Sequence, residues 1–198
     1  VNTSSEIKAM SDYICTSSNA LKVIESIPKN QPIIFAPDKN LGHYLNKITK
    51  REMLLWDGVC TVHEAFSMEK MTNLKLKNMD AKIIAHPESD PVVLDIADFI
   101  GSTSALLNFV VNDKSDKYII ATEVGILDKM KLMAPNKKFI PAPVNENNTC
   151  ACSECAFMKT ITLENLYTSI VEEKHEIVVE RELAKKALIP LENMINMN

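Results

Sequence analysis

An eight-residue pattern recurs inside this chain, and it constrains the fold more than any single motif. Ser11-Asp12-Tyr13-Ile14-Cys15-Thr16-Ser17-Ser18 aligns with Ala97-Asp98-Phe99-Ile100-Gly101-Ser102-Thr103-Ser104 at an offset of 86 residues (positions 11 and 97). At the same offset Ile33-Ile34-Phe35-Ala36 falls on Ile119-Ile120-Ala121-Thr122, and Asn2 falls on Glu88. With a few inserted residues, Trp56-Asp57-Gly58-Val59-Cys60 corresponds to the stretch from Pro141 to Cys155. Separate motifs sharing one offset are hard to produce by chance. They imply one unit of about 85 residues used at least twice, a spacing longer than that of most stacked repeats. Each unit ends its last strand in a cysteine-bearing loop.

Short apolar runs alternate with helical stretches, which predicts parallel strands covered on both faces. The strand candidates are Ile33-Ile34-Phe35-Ala36, Met53-Leu54-Leu55-Trp56, Lys82-Ile83-Ile84-Ala85, Phe99-Ile100, Tyr118-Ile119-Ile120-Ala121 and Phe139-Ile140. Helices are expected over residues 4–10, 19–25, 65–73 and 163–173, with a terminal strand over 175–181 and a packing helix over 182–188. The fold class is therefore α/β, built from repeated three-layer α/β/α domains with short parallel sheets. Residues 1–80 read as one repeat, and residues 81–198 as the next, carrying the cysteine loop and the terminal strand and helix. Lys82-Ile83-Ile84-Ala85 precedes Glu88, but no strand precedes its counterpart Asn2. The first visible repeat is thus expected to lack its opening strand, as in a truncated chain.

Composition limits the partners. The 198 residues carry 22 basic and 26 acidic side chains, a net charge of −4. No basic stripe for a nucleic acid is visible. No run of about 18 apolar residues suggests a membrane span, and the polar start Val1-Asn2-Thr3-Ser4-Ser5-Glu6 lacks the order of a secretory signal. Five cysteines, three of them within Cys150-Ala151-Cys152-Ser153-Glu154-Cys155, do not form a secreted disulfide framework. They point to a cytoplasmic protein with a thiolate site.

Several motifs bear chemistry, each with a plainer reading beside it. Cys150, Cys152 and Cys155 suit a soft metal or an iron–sulfur cluster, and inert thiols are the alternative. Cys60 and His63, three residues apart after a Gly turn, can face one cavity, or be a buried cysteine beside a surface histidine. In His86-Pro87-Glu88 the proline presents a histidine and a carboxylate at a strand end, as acid–base or substrate-binding groups or as a helix-capping turn. Gly101-Ser102-Thr103-Ser104 and Cys15-Thr16-Ser17-Ser18-Asn19 each lead into a helix, offering amides and hydroxyls to an anion or acting as ordinary caps. Pro37-Asp38-Lys39-Asn40-Leu41-Gly42 reads first as a turn whose polar residues could line a cavity, with Thr122-Glu123-Val124-Gly125 as its counterpart. His43 and His175 are expected to be solvated, and the ten methionines to fill cores.

Together these segments resemble the quinolinate synthase family along nearly the whole chain. The resemblance is carried by Asn2-Thr3-Ser4, Cys15 to Ala20, Pro37 to Gly42, Trp56 to Cys60 with His63, and His86-Pro87-Glu88. Gly101 to Ser104, Thr122-Glu123 and Cys155-Ala156-Phe157-Met158-Lys159 complete it. It implies three α/β/α domains around a pseudo-threefold axis, of which this chain holds two, each giving one cysteine to a [4Fe–4S] cluster. The implied cluster ligands here are Cys60 and Cys155, which makes Cys150 and Cys152 accessory; the remaining cysteine would lie upstream. The implied reaction condenses iminoaspartate with dihydroxyacetone phosphate to quinolinate, in de novo NAD biosynthesis, with one open iron as Lewis acid. An iminoaspartate-producing enzyme would be a partner. The resemblance places Ser17, Ser102 and Thr103 on anionic groups and Asn2, His63, His86 and Glu88 around the cavity, with Glu88 as acid–base group and His63 orienting substrate. Without the first domain the chain alone is expected to be inactive. Two other functions remain open on the residues: a non-catalytic metal-binding or redox-sensing protein using Cys150, Cys152 and Cys155, and a binding module for a sugar or amino acid.

Overall fold

The structure, a computed structural model, describes residues 2–145 and 153–197. In chain order its elements are α1 (Ser5–Ala9), α2 (Ala20–Ser26), β1 (Ile34–Phe35), α3 (Lys39–Thr49), β2 (Leu54–Leu55), α4 (Thr61–Glu64) and α5 (Met68–Lys77). There follow β3 (Lys82–Ala85), α6 (Pro91–Asp95), β4 (Phe99–Ile100), α7 (Thr103–Asn112), β5 (Lys117–Ala121), α8 (Ile126–Met133), β6 (Lys138–Pro141), α9 (Leu163–Val171) and α10 (Arg181–Asn196). The chain divides into two compact units, Val1–Pro28 with Phe157–Asn198, and Lys29–Ala156. The repeat boundary at residue 80 falls inside the second of these.

In that unit four parallel strands lie in the order β4-β3-β5-β6. Lys82-Ile83-Ile84-Ala85 and Lys117-Tyr118-Ile119-Ile120-Ala121 are near-continuous apolar runs, the pattern of strands buried on both faces. Side chains alternate across the sheet. Ile83, Ala85, Ile119 and Ala121 face Ala65, Phe66, Met71, Val93 and Leu94 from α4 to α6. Ile84, Tyr118 and Ile120 face Leu106 and Val110 of α7 and Leu127 and Met130 of α8. This is the three-layer α/β/α arrangement expected from the sequence. A second, two-stranded parallel sheet pairs Ile34 with Leu54 and Phe35 with Leu55. The β1–α3–β2 order matches β5–α8–β6, as the 86-residue offset requires.

The strand expectations agree with the structure to within a residue or two, and β3 coincides with its predicted run. Three expectations are corrected. The helix expected over 65–73 begins only at Met68 and runs on to Lys77 as α5, because Phe66 bridges Val144 and Ser67 caps α5 by accepting from the Lys70 amide. Residues 175–180 form no strand: Ile177 and Val178 are exposed, and no neighbouring strand takes their backbone hydrogen bonds. The helix expected to end at Leu188 runs on to Asn196 through the buried Pro190. A proline removes one intrahelical hydrogen bond, and here the ring's burial and the packing of α10 on α1 outweigh that loss.

The amino-terminal ends of the two central strands, β3 and β5, are fixed by Asp113, at the end of α7. Its carboxylate accepts from Lys82 Nζ at 2.6 Å, Tyr118 Oη at 2.8 Å and the Ser115 amide at 3.1 Å. The lysine beside it holds Asp113 well below the usual carboxylate range, with the Tyr118 and Ser115 donors adding to the effect. Asp113→Ala should cost about 1–3 kcal/mol at neutral pH, because it removes a charged acceptor shared by Lys82, Tyr118 and the Ser115 amide. A depressed carboxyl stabilises the fold fully above about pH 5, where unfolded aspartate is ionised, and progressively less below it. Urea unfolding of both proteins across pH should therefore show the gap closing in acid; a gap independent of pH would contradict this account.

Candidate active site

Strand β3 leads into α6 on one face of the sheet, while its neighbour β5 leads into α8 on the other. Loops that part in this way open a crevice at the carboxyl ends of the strands, where α/β sheets bind ligands. His86-Pro87-Glu88 follows β3 and Thr122-Glu123 follows β5, and the His86 amide donates to Ala121 O at 3.0 Å. A separate hollow of about 380 Å³, lined by residues 29–33 and 49–53, lies before β1 and β2 rather than after them.

The third contributor is the loop after β2. A Cβ at Gly58 would lie 2.4 Å from Pro37 O, so glycine permits a close approach of two backbones. That approach puts Cys60 beside Asp38, whose buried carboxylate accepts from the Leu41 amide at 2.7 Å and the Cys60 amide at 2.9 Å. Asp38 is thus the N-cap of α3, and the segment expected to be a turn starts a helix. Asn40, also buried, donates to Glu64 Oε2 at 2.8 Å and to Glu88 O at 3.1 Å, tying α3 to α4 and to the loop after β3.

One helical turn after Cys60, His63 is buried with only 7% of its surface exposed. Its Nε2 lies 3.1 Å from Thr122 Oγ1. Its Nδ1 lies 3.3 Å from Glu88 Oε2 but makes no well-aligned hydrogen bond. The His86 ring stacks on His63, with centroids 4.5 Å apart and planes at 16°. His86 Nδ1 accepts from the Glu88 amide at 3.4 Å and lies 3.9 Å from Glu88 Oε2.

The environments push these groups apart. Burial alone would lower His63, but the Cys60 and Glu88 groups beside it outweigh that and raise the imidazole to about 9. Burial and the His63 charge push His86 down to about 4. Burial raises Glu88 and Cys60, yet His63 outweighs it for both, leaving each below its usual range. A charged and a neutral imidazole stacked beside one carboxylate place a proton donor and proton acceptors side by side. Cys60, His63 and Glu88 each offer one ligand atom, all within 4.8 Å of one another, so this group could also hold a metal ion.

The structure therefore brings Cys60, His63, His86 and Glu88 together. Ser102 stands at the end of β4, beside β3; its hydroxyl accepts from the Ala105 amide at 3.3 Å as the N-cap of α7, and Thr103 is exposed at the first residue of that helix. Cys155 is a half-buried thiol whose amide donates to Glu123 Oε1 at 3.4 Å. Nearby, Val124 N donates to Ser153 O and Ser153 Oγ to Ala142 O, pinning this segment to the ends of β5 and β6. Asn2, exposed, and Ser17, half-buried, belong to the other unit. Cys150 and Cys152 lie outside the described residues. Sequence reasoning missed the roles of Asp38, Asn40, Thr122 and Glu123, although their segments stood out as counterparts across the repeat.

A family model described as Quinolinate synthetase A protein matches residues 1–196. The chain belongs to the quinolinate synthetase A family. Among its relatives, the quinolinate synthase of Microcystis aeruginosa is 51% identical over 198 residues, covering all of this chain and 61% of that protein. Those of a Synechococcus and a Nostoc are 51% and 50% identical, covering 62% and 60% of their lengths. The chain thus spans about three-fifths of the length of these relatives. Among the described residues no helix is long and apolar enough to cross a membrane.

Removing the Asp38 carboxylate should loosen both loops at once. Asp38→Ala is expected to cost about 0.5–2 kcal/mol, as loss of a helix cap does, and to speed hydrogen exchange at the Leu41 and Cys60 amides. Unchanged exchange at both amides would contradict the capping role.

Proposed function

We propose that this chain supplies two repeated α/β/α units, residues 1–80 and 81–198, of a cytoplasmic quinolinate synthase. That enzyme would condense iminoaspartate with dihydroxyacetone phosphate, releasing phosphate and two waters, and so feed NAD biosynthesis. The observation that carries the reading is the crevice holding Cys60, His63, His86 and Glu88, in a chain whose relatives bear that enzyme's name.

The family implies a [4Fe–4S] cluster, and the residues present fit it. Cys60 is an accessible thiol whose proton His63 helps to remove. His63 touches Thr122, and the next residue, Glu123, holds the backbone of Cys155. Both cysteines therefore stand on loops anchored at the carboxyl end of β5. Three cluster cysteines bind three different irons, so a pair from separate loops suits a cluster shared between repeats. When bound, the cluster would offer an open iron as Lewis acid.

The chain's own residues would do the rest. Glu88, a quarter exposed and next to two imidazoles, would take and return protons on the substrate carbon skeleton. His63, fixed by Thr122, would orient substrate. His86, kept neutral by burial, would donate from Nε2 while its Nδ1 accepts from the Glu88 amide. Ser102 and Thr103 would receive phosphate or carboxylate at the start of α7. An iminoaspartate-producing enzyme would deliver its unstable product directly.

The test is quinolinate formation by the chain extended to the full length of its relatives. Glu88→Gln should lower turnover by about 10²–10⁴ with substrate affinity nearly retained. Full turnover in that variant would remove Glu88 from the acid–base role.

A further inference from the structure

Cys60 and Cys155 share a backbone contact that neither loop needs for its own closure. In both repeats a carboxylate at the end of the neighbouring strand takes the amide of the cysteine itself. Asp38, after β1, accepts from the Cys60 amide through Oδ2 at 2.9 Å and from the Leu41 amide through Oδ1 at 2.7 Å. Glu123, after β5, accepts from the Cys155 amide through Oε1 at 3.4 Å and from the Gly125 amide through Oε2 at 2.7 Å. One oxygen thus fixes the start of the following helix, α3 or α8. The other reaches forward to a cysteine 22 or 32 residues along the chain. The two carboxylates stand one position out of step in the 86-residue alignment, yet each divides its oxygens in the same way.

Resting on the cluster reading above, we propose that Asp38 and Glu123 are equivalent positioning residues for the cluster cysteines and hold the cluster at a low reduction potential. Two effects act in the same direction. Backbone N–H groups aimed at cysteine or cluster sulfur stabilise an added electron and raise the potential. The Cys60 and Cys155 amides are spent on carboxylates instead. The carboxylates also put negative charge directly behind the two ligands, and negative charge makes reduction harder. Asp38 is buried, so salt screens its charge little. Such a setting suits a cluster used as Lewis acid, because the oxidised form is the stronger acid and a low potential keeps it from taking up an electron. Neither residue is itself a ligand; each acts through the backbone of its cysteine.

The test is potentiometric reduction, followed by visible and electron paramagnetic resonance spectra, of the chain extended to the full length of its relatives and purified without oxygen. Asp38→Asn and Glu123→Gln should each favour the reduced cluster by about tenfold, an upward shift of about 59 mV for one electron. Both variants should also lose iron to a chelator at least about tenfold faster than wild type. Glu123 is half-buried, so Glu123→Gln should keep the wild-type circular dichroism and decides the matter if Asp38→Asn fails to fold. Asp57→Asn is the control: it removes an exposed charge from the Cys60 loop, paired with Lys39 and far less shielded from water, and should leave the potential where it was. An unchanged potential and unchanged iron release in Glu123→Gln, or an equal shift in Asp57→Asn, would overturn the inference while leaving the cluster assignment intact. Iron-free wild-type protein would overturn both. A role confined to helix capping would lower stability without moving the potential.

Discussion

The parallel pairing of β3 with β5 is the constraint from which the rest of the architecture follows. Ile84, Ile119, Ile120 and Tyr118 are completely shielded from water, and each such apolar side chain contributes about 1.5–3 kcal/mol relative to exposure. Because each strand hands its chain to a helix on a different face, burial on both sides forces their carboxyl-end loops apart. The crevice is thus a consequence of packing. His86 and Glu88 come from one lip and Thr122 and Glu123 from the other, and their proximity needs no special device.

What the crevice holds depends on a second layer of contacts. Asp38 and Asn40 spend their hydrogen bonds on backbone amides, a carbonyl and Glu64 rather than facing solvent. Through them the loop after β2 carries Cys60 and His63 to Glu88. Buried polar groups that are fully paired specify one arrangement more sharply than apolar packing does. The stacked imidazoles differ in environment: burial, and then the charge of His63, push His86 down, while Cys60 and Glu88 push His63 up.

Much of this was legible in the sequence, for stated physical reasons. Strands buried on both faces read as unbroken β-branched runs, so β3 and β5 were plain. The repeat announced two equivalent β–α–β pairs, and the strand-end positions of His86, Glu88 and Cys60 followed from Pro87 and Gly58. Residues whose role depends on tertiary contacts were not legible. Asp38 looks like a turn residue because a helix cap and a turn use the same side chains. Thr122 carries no sign in the sequence that its hydroxyl will meet His63, 59 residues away. Pro190 is locally a stop signal, and only the packing of α10 overrides it. Ile177 and Val178 have strand composition without a strand to pair with, so propensity alone misled.

The central claim is that cysteines from separate repeats, Cys60 and Cys155, hold one iron–sulfur cluster at the carboxyl edge of β5. The most direct measurement is iron and acid-labile sulfide on the chain extended to the full length of its relatives, purified without oxygen, beside its Cys155→Ser variant. The account predicts about four irons and four sulfides per chain, lost in the variant. Iron-free protein, or full iron retained without Cys155, would contradict it.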